Sequence, residues 1–545
     1  MKTRFLPAIL IAMMALLMAS CSKSSNKQGR YIPAKAAFVI HMNGSSLNEK
    51  LPWSDIKQND FYKEIMADSS VDAYLKQALE NPENTGVDVK DDLLMFIVKD
   101  TSGGYMAVEG KLKDAAKFKQ FNSNAIKDVT AVDKDGLTYL KKDRMISSWN
   151  KDRFILIVDA PEMNTTKQYG RWNDSTVTLP VSTRDVLGTA KSLFDLSEDQ
   201  SMAKNEKFSD LMNTKGDMHF WMSAENIDMS SLIMAMPGMN MLNLTKLYEG
   251  SILAATANFT NGQINVDMKS YSGKDMTALW KNYGGKNISS EMTERLPNKN
   301  IAAFFAMSFK PEGIKELLKL AGLDGYANLG AMKYNFTLDD FIKANKGDLL
   351  FAVSDIGKDS SGSPAADFIF STSIGDKASF DKLVNVGKTL AGAAMSDKVF
   401  VNMNNNFFVV GNHQASVNKY IASSGNNKFP FLDKLTGNPI GGYINFQYIL
   451  STVKANMQQD SLQKASVDAS LKLWDNLYIT GGEFKNDAMV SHMEINLVDK
   501  STNSLKQLNN YFLSMSRIQK SRMAMYKSDL SMDTSAVMVP RDSVR

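Results

Sequence analysis

The same series of sequence landmarks occurs twice along this chain, and this duplication constrains the fold more than any other feature. Residues 31–35 (YIPAK) precede an apolar, strand-like segment at 36–42, and residues 296–299 (LPNK) precede a similar segment at 301–307. The period of about 250 residues is far longer than that of solenoid or propeller repeats, which predicts a pair of large units.

Further landmarks recur in the same order in both copies. The matched segments are 92–98 with 348–353, 111–124 with 374–386, 144–157 with 399–410, 207–222 with 428–446, and 254–268 with 478–495. The spacing between matched segments shortens along the chain, so the first copy carries insertions. We therefore expect the two copies to share one order of strands and helices.

Short turns rich in Asn and Asp join neighbouring apolar segments within each copy, at 150–152, 261–262 and 404–406. Strands joined by so short a turn are antiparallel, because parallel neighbours need a crossover of about a dozen residues or more. The predicted class is α+β, with two tandem related domains that are each a mostly antiparallel sheet with helices covering one face. The predicted bounds are 31–290 and 291–520, with a boundary near 288–294 and a polar, irregular C-terminal tail at 521–545.

The N-terminus has the pattern of an export signal. Lys2 and Arg4 precede an apolar run at 5–18, which at about fourteen residues is too short to span a bilayer and is typical of a signal peptide. The small residues before Cys21 resemble the lipobox of bacterial lipoproteins, in which the cysteine is acylated after cleavage. Residues 1–20 are thus the predicted signal peptide, Cys21 the lipidated residue, and 21–30 a flexible polar tether to the membrane.

Charge and cysteine content exclude several classes of function. Loss of Lys2 and Arg4 with the signal peptide lowers the formal charge from +4 to +2, which does not predict a nucleic-acid partner. Cys21 is the only cysteine, so an exported form has no disulfides and no thiolate or Cys-ligated zinc chemistry. The stability of the folded protein must therefore come from the burial of apolar surface.

No motif predicts a catalytic residue, a metal site or a cofactor. The four histidines, at 41, 219, 413 and 492, lie far apart in sequence and form no zinc-binding spacing. We assign them structural or surface roles. The nucleophile motif G-x-S-x-G is absent.

A methionine-rich segment at 229–244 is the candidate partner or ligand surface. Its distinctive residues are Met234, Met236, Met239 and Met241, and the matching stretch of the second copy is polar. Core packing is the favoured interpretation, since methionine is common throughout the chain. The alternatives are an adaptable apolar surface for a lipid or peptide, or a Cu(I) site.

The lipobox, the opening at 31–43 (YIPAKAAFVIHMN) and the phrase at 91–96 (DDLLMF) together resemble the DUF4836 family of Bacteroidetes lipoproteins. The resemblance covers nearly all of the mature chain and implies no activity, because the family has no known function. In such bacteria, acidic residues soon after the lipidated cysteine resemble a signal for export to the cell surface. Residues 22–27 contain no acidic residue. We therefore predict an outer-membrane lipoprotein that faces the periplasm.

The leading hypothesis is a non-enzymatic, lipid-anchored envelope module that binds a partner protein, a glycan or a lipid, with a cleft or long surface between its two domains. The alternative is a hydrolase that acts on envelope glycan or peptide through carboxylates that the sequence does not pair.

Overall fold

A computed structural model shows the architecture. The structure describes residues 27–69, 71, 73–126, 128–161, 183–227, 245–325, 335–358, 362–391, 399–457 and 461–535. The strands are β1 (Ala36–Met42), β2 (Leu93–Asp100), β3 (Gly103–Lys111), β4 (Val132–Lys134), β5 (Leu137–Lys142), β6 (Met145–Trp149), β7 (Arg153–Asp159), β8 (Met218–Ser223), β9 (Ile252–Thr260), β10 (Gln263–Tyr271), β11 (Ile301–Ser308), β12 (Asn345–Lys358), β13 (Pro364–Ile374), β14 (Phe400–Met403), β15 (Phe407–Gly411), β16 (Ile440–Asn445), β17 (Trp474–Lys485) and β18 (Ala488–Leu497).

The helices that the structure describes are α1 (Gly44–Lys50), α2 (Trp53–Ile56), α3 (Asp60–Ala67), α4 (Ala73–Glu80), α5 (Ala115–Ala125), α6 (Val186–Phe194), α7 (Glu206–Asn213), α8 (Thr245–Tyr248), α9 (Lys274–Tyr283), α10 (Ser290–Thr293), α11 (Glu312–Leu320), α12 (Leu338–Ala344), α13 (Lys377–Ala391), α14 (Gln414–Ala422), α15 (Leu432–Leu435), α16 (Phe446–Asn456), α17 (Ser461–Leu473) and α18 (Ser504–Ser535). None of these helices is both long enough and apolar enough to cross a bilayer.

All of the strands belong to one antiparallel sheet, which confirms the α+β class. The first half runs β6-β7-β3-β2-β1-β8-β9-β10 across the sheet, with β4 and β5 added beyond β6. The second half runs β14-β15-β13-β12-β11-β16-β17-β18. The two orders are the same strand for strand, as the duplicated landmarks lead one to expect.

The two halves are joined by strand pairing. β10 and β18 pair antiparallel over nine positions, from Gln263 opposite Asn496 to Tyr271 opposite Ala488. The sheet therefore continues from one half into the other through main-chain hydrogen bonds. This differs from the expectation of two domains with separate sheets, and the predicted cleft between domains is replaced at this junction by a ladder.

Alternation along the strands divides the sheet into two faces. In β2, Leu94, Phe96 and Val98 are fully buried, and the alternate residues point to the other side. Helices α6 and α7 cover this buried face in the first half, where their apolar residues join the core of Leu94 and Phe96. A second core, which contains Phe304, Leu350 and Tyr420, occupies the same face of the second half beneath α14 and α15.

Helices also lie on the opposite face of the sheet. Phe118 of α5 packs against Phe154, which shares a face with Leu93 rather than with Leu94. The prediction of helices on one face only is therefore wrong. A sheet of this width has apolar residues on both faces, and each face requires cover.

Both chain ends differ from their predictions. Lys27–Gly29 forms a 3-10 helix, and Gly29 lies against the backbone of Met202 and Ala203, so the folded part begins before residue 31. The C-terminal helix α18 continues to Ser535 through the region that we expected to be irregular. Ile288 and Met292 already pack in the second core, so the second half begins no later than Ile288.

Candidate functional site

The face of the sheet opposite the two large cores exposes aromatic side chains, and we call it the open face. Phe305, Phe351 and Phe370 lie directly opposite one another on β11, β12 and β13. Their exposed fractions are 40%, 41% and 37%. Each follows or precedes a buried residue on its strand, because alternation sends the neighbours into the core. Three adjacent, partly exposed phenylalanines form an apolar patch of the kind that marks binding sites.

This aromatic row leads into an apolar cleft of about 460 Å³ between the sheet and helices α12 and α13, which we call the second cleft. Phe370, Phe380, Phe408, Leu349 and Leu383 line it, and among the described residues that line it Lys388 is the only charged one. Its size is in the range of small-molecule sites.

A first cleft of about 560 Å³ lies on the open face of the first half. Its apolar lining includes Leu47, Trp53 and Leu93, while its rim carries several charged groups. Lys111 lies 3.1 Å from Asp91 and 3.9 Å from Asp88, so two of the rim carboxylates are paired with a lysine. The two clefts thus differ in charge although they lie on one face.

The structure brings together two histidines that the sequence places far apart. His41 on β1 and His219 on β8 lie directly opposite one another, and their Nδ1 atoms are 2.9 Å apart. Both rings are buried, with 2% and 3% of their surface exposed. The prediction of structural or surface roles for the histidines did not include this contact. The register between β1 and β8 cannot be read from the sequence of either strand alone.

The outer nitrogens of the histidine pair face oxygen atoms. His41 Nε2 lies 3.1 Å from Asp92 Oδ1, without the alignment of a hydrogen bond, and His219 Nε2 lies 2.8 Å from the Thr214 carbonyl. His219 Nε2 faces a carbonyl acceptor and therefore donates its proton to Thr214, and the contact between the two Nδ1 atoms requires that one of them donates and the other accepts. The Asp92 carboxylate lies at the His41 end of the pair.

The pKa values of the neighbouring groups agree with this arrangement. Burial raises the pKa of Asp92 by itself, but contacts with His41 and Gln28 outweigh it, and the pKa is lowered. Burial lowers the pKa of His219 and outweighs the hydrogen bond to the Thr214 carbonyl, which raises it.

The histidine pair belongs to the first half alone. The register of the second half places Ala306, Gly441 and Asp348 at the positions of His41, His219 and Asp92. A side chain at Gly441 would collide with Ile288 and Leu435, so apolar residues take the space of the imidazoles. The carboxylate position is present in both halves, whereas the imidazoles are not.

The two carboxyl groups whose pKa burial raises do not lie at the clefts. Burial raises the pKa of Glu109 to about 7, but its side chain is fully buried and lies 3.1 Å from Arg153. Burial also raises the pKa of Asp348. Neither residue lines a cleft. Within the described ranges, no group of three or more His, Cys, Asp or Glu residues is placed to hold a metal.

The site residues taken from sequence are not among those that form these features. Cys21, Met234, Met236, Met239 and Met241 all lie outside the described residues. The phenylalanine row was missed, although the spacing of Phe304 and Phe305 in β11 contains a signal. Two adjacent phenylalanines in one strand must point to opposite faces, so one of them lies on the side away from the main core.

Comparisons with known proteins give one family match. A family model described as a domain of unknown function, DUF4836, matches residues 29–421. No curated protein matches. Among solved structures, crystal form IV of TP0453 is 9% identical, with a TM-score of 0.24 over 44% of this chain and 80% of that one. Crystal form I of TP0453 is 11% identical, with a TM-score of 0.25 over 46% and 81% of the two chains.

Proposed function

Because this chain belongs to the DUF4836 family, which has no assigned activity, we propose its function from the site: a non-enzymatic, lipid-anchored envelope protein that binds an apolar ligand or partner on the open face. The lipid anchor is Cys21, at the outer membrane and on its periplasmic side. The partner is an envelope component with apolar surface, such as a lipid or a lipid-bearing protein.

The observation that carries this proposal is the row formed by Phe305, Phe351 and Phe370. These rings lie on three adjacent strands of an otherwise well-packed sheet and keep more than a third of their surface exposed. Apolar area that stays exposed to water does not contribute the favourable free energy of burial. A ligand that covers this area recovers that free energy. The row is continuous with the second cleft through Phe370, so one ligand is able to contact both.

Binding of the neutral apolar fluorophore N-phenyl-1-naphthylamine tests the open face. Phe351→Thr keeps a residue suited to a strand and removes the central ring of the row. We expect this variant to bind the fluorophore about fivefold more weakly, from the lost apolar contact area. Equilibrium fluorescence titration measures the affinity.

Phe512→Ser is the matched control, since Phe512 is 65% exposed but lies on α18 and lines neither cleft. It should bind the fluorophore as the wild type does. Equal loss in both variants, or no loss in either, would show that the fluorophore does not report on the open face and would contradict the proposal.

The anchor is tested by fractionation of cells. Cys21→Ser removes the thiol that would be acylated, so the protein should move from the membrane fraction to the soluble fraction. Immunoblots of the two fractions measure the distribution. A Cys21→Ser protein that stays with the membrane would contradict lipid anchoring at this residue.

A further inference from the structure

We propose that the second cleft binds an amphiphile with an acyl chain and an anionic head group, with the chain among the phenylalanines and the head group at Lys388. This inference rests on the proposed function, because it names the ligand class of the open face. It is carried by the lining of the cleft, by the comparison with the first half, and by the charge at the rim.

The lining suits a flexible hydrocarbon chain. Phe341, Phe380, Phe408, Leu383 and Val410 surround a volume of about 460 Å³. The two polar side chains that line the cleft are engaged elsewhere: Asn345 donates to the Phe341 carbonyl, and Thr372 donates to the Asp348 carbonyl. The interior therefore offers few free polar groups to fix a sugar or a peptide main chain, and its mainly apolar lining favours an apolar chain.

The first half contains the same site in a filled state. Phe118 and Phe154 correspond to Phe380 and Phe408 by position on the matched helix and strands. Trp149, opposite Phe154 on β6, is 2% exposed, and its ring lies 5.3 Å from that of Phe118. Leu140 of β5 is fully buried in the same cluster. Together these two side chains occupy the space next to the phenylalanines.

The second half lacks both filling groups among its described residues. Met403 lies opposite Phe408 where Trp149 lies opposite Phe154. The described part of the chain has no counterpart of the β4–β5 hairpin that supplies Leu140. Among the described residues, the second cleft is therefore a packing site without these two filling side chains, and a ligand chain would occupy the space.

The charge at the cleft selects the head group. Lys388 lies in the last turn of α13, is exposed, and makes no ion pair with any described carboxylate. None of the described side chains that line the second cleft is acidic. An ammonium group beside an apolar volume attracts an anion more strongly than it would in open water, because the local dielectric is lower. A cationic or neutral head group gains no electrostatic attraction from Lys388.

Calorimetric titration of the full-length protein with three twelve-carbon amphiphiles tests the head group. Dodecanoate and dodecyl phosphate present a fatty-acid and a phospholipid type of anion, and dodecyltrimethylammonium presents a cation on the same chain. We expect both anions to bind about five- to tenfold more tightly than the cation, from one partly exposed charge pair. A tenfold or greater difference between the anions identifies the source, carboxylate or phosphate.

Lys388→Gln removes the charge and should equalise the affinities for the anions and the cation. Lys269→Gln is the matched control, because Lys269 is an exposed residue of β10 that lines neither cleft. It should keep the preference for anions. Equal binding of anions and cation by the wild type would overturn the head-group assignment, while the apolar binding of the open face would still stand.

Gly387→Leu tests the position of the chain. Gly387 lines the cleft, and a Cβ atom added there meets nothing within 4 Å, so leucine enters the space without a clash. Leucine also favours the helix more than glycine does. We expect binding of all three amphiphiles to fall by about tenfold or more, as a chain of this size loses its space. The thermal midpoint should not fall.

Asn385→Leu is the control for the added leucine, since Asn385 is exposed on the same helix and does not line the cleft. Unchanged binding in Gly387→Leu, or equal loss in Asn385→Leu, would overturn the placement of the chain. No binding of any amphiphile by the wild type would overturn the ligand class. Retention of fluorophore binding in that case, with its loss in Phe351→Thr, would leave the proposed function in place.

Discussion

His41 and His219 owe their properties to a contact between residues 178 positions apart in sequence. The pair is buried, with Asp92 at the His41 end and the Thr214 carbonyl at the His219 end. Asp217 also lies near His219, and Lys50 pairs with it. Protons on both Nδ1 atoms would set two N–H groups against each other, so the contact between the rings requires that one Nδ1 stays unprotonated.

The stability of the protein should therefore decrease in mild acid. The pKa of His219 is lower in the folded state than in the unfolded chain, so the unfolded state binds more protons between the two values. The free energy of unfolding is at its full value above the ordinary pKa of histidine and is lost as the pH falls toward the folded value. His219→Gln removes this titration and should flatten the pH dependence. Urea unfolding at a series of pH values from 7.5 to about 5 measures it.

His492→Gln is the comparison for this measurement. His492 is 39% exposed and lies 2.8 Å from Asp267 on the surface. Its replacement should leave the slope between pH 7.5 and about 5 as in the wild type. A wild-type protein whose stability does not change over this range would contradict the lowered pKa of His219.

At the scale of elements, helix α18 connects the end of the chain to its beginning. Asn509 of α18 and Asn59, which precedes α3, exchange hydrogen bonds of 2.9 and 3.3 Å through their amide groups. Farther along, Arg517 pairs with Asp60 and Lys520 with Glu64. The helix thus leaves the second half and packs beside a helix of the first, which gives its polar residues partners.

Asn509→Ala should destabilise the protein through the partner that it leaves behind. Asn59 is only 2% exposed, so its amide would lose its partner in a largely buried position. We expect a decrease of about 1–3 kcal/mol in the free energy of unfolding. Urea unfolding at pH 7.5 measures it. Arg517→Ala, which removes an exposed ion pair, should have no measurable effect, and an equal effect of both variants would contradict the role given to burial.

At the scale of the whole molecule, several connections join the halves, among them the ladder of β10 with β18, the return of α18 to α3, and the ion pair of Lys281 with Asp487. The two large cores lie on the same face of one sheet, yet they share no residue. Ala488 of β18 packs in the first core, so the shared strands are one route of cooperation between the cores. The main-chain ladder is the stronger connection, since it is buried among neighbouring strands on both sides.

We expect the described body to unfold in one cooperative transition. Unfolding of either half would leave β10 or β18 as an unpaired edge and expose its main-chain groups. Scanning calorimetry should give a single peak whose calorimetric and van't Hoff enthalpies agree. Two resolved peaks, one for each half, would show that the ladder does not couple the cores.

Most of the element order follows from local features of the sequence. Apolar alternation and Asn- or Asp-containing turns at 150–152, 261–262 and 404–406 act over a few residues, so antiparallel hairpins are readable without a structure. The duplicated landmarks fall on matching strands for the same reason. The end of α18 was readable too: no Pro or Gly interrupts residues 504–535, and polar composition by itself was a poor reason to expect an irregular tail.

By itself, the sequence determined the α+β class, the shared strand order of the two copies and the absence of disulfides, because these depend on local periodicity or on residue counts. Only the tertiary structure decided that β10 pairs with β18, that His41 meets His219, and that Trp149 packs beside Phe118 where the smaller Met403 packs beside Phe380. Each of these depends on the register or packing of segments far apart in sequence, where many pairings satisfy the same local pattern and the total packing energy selects one.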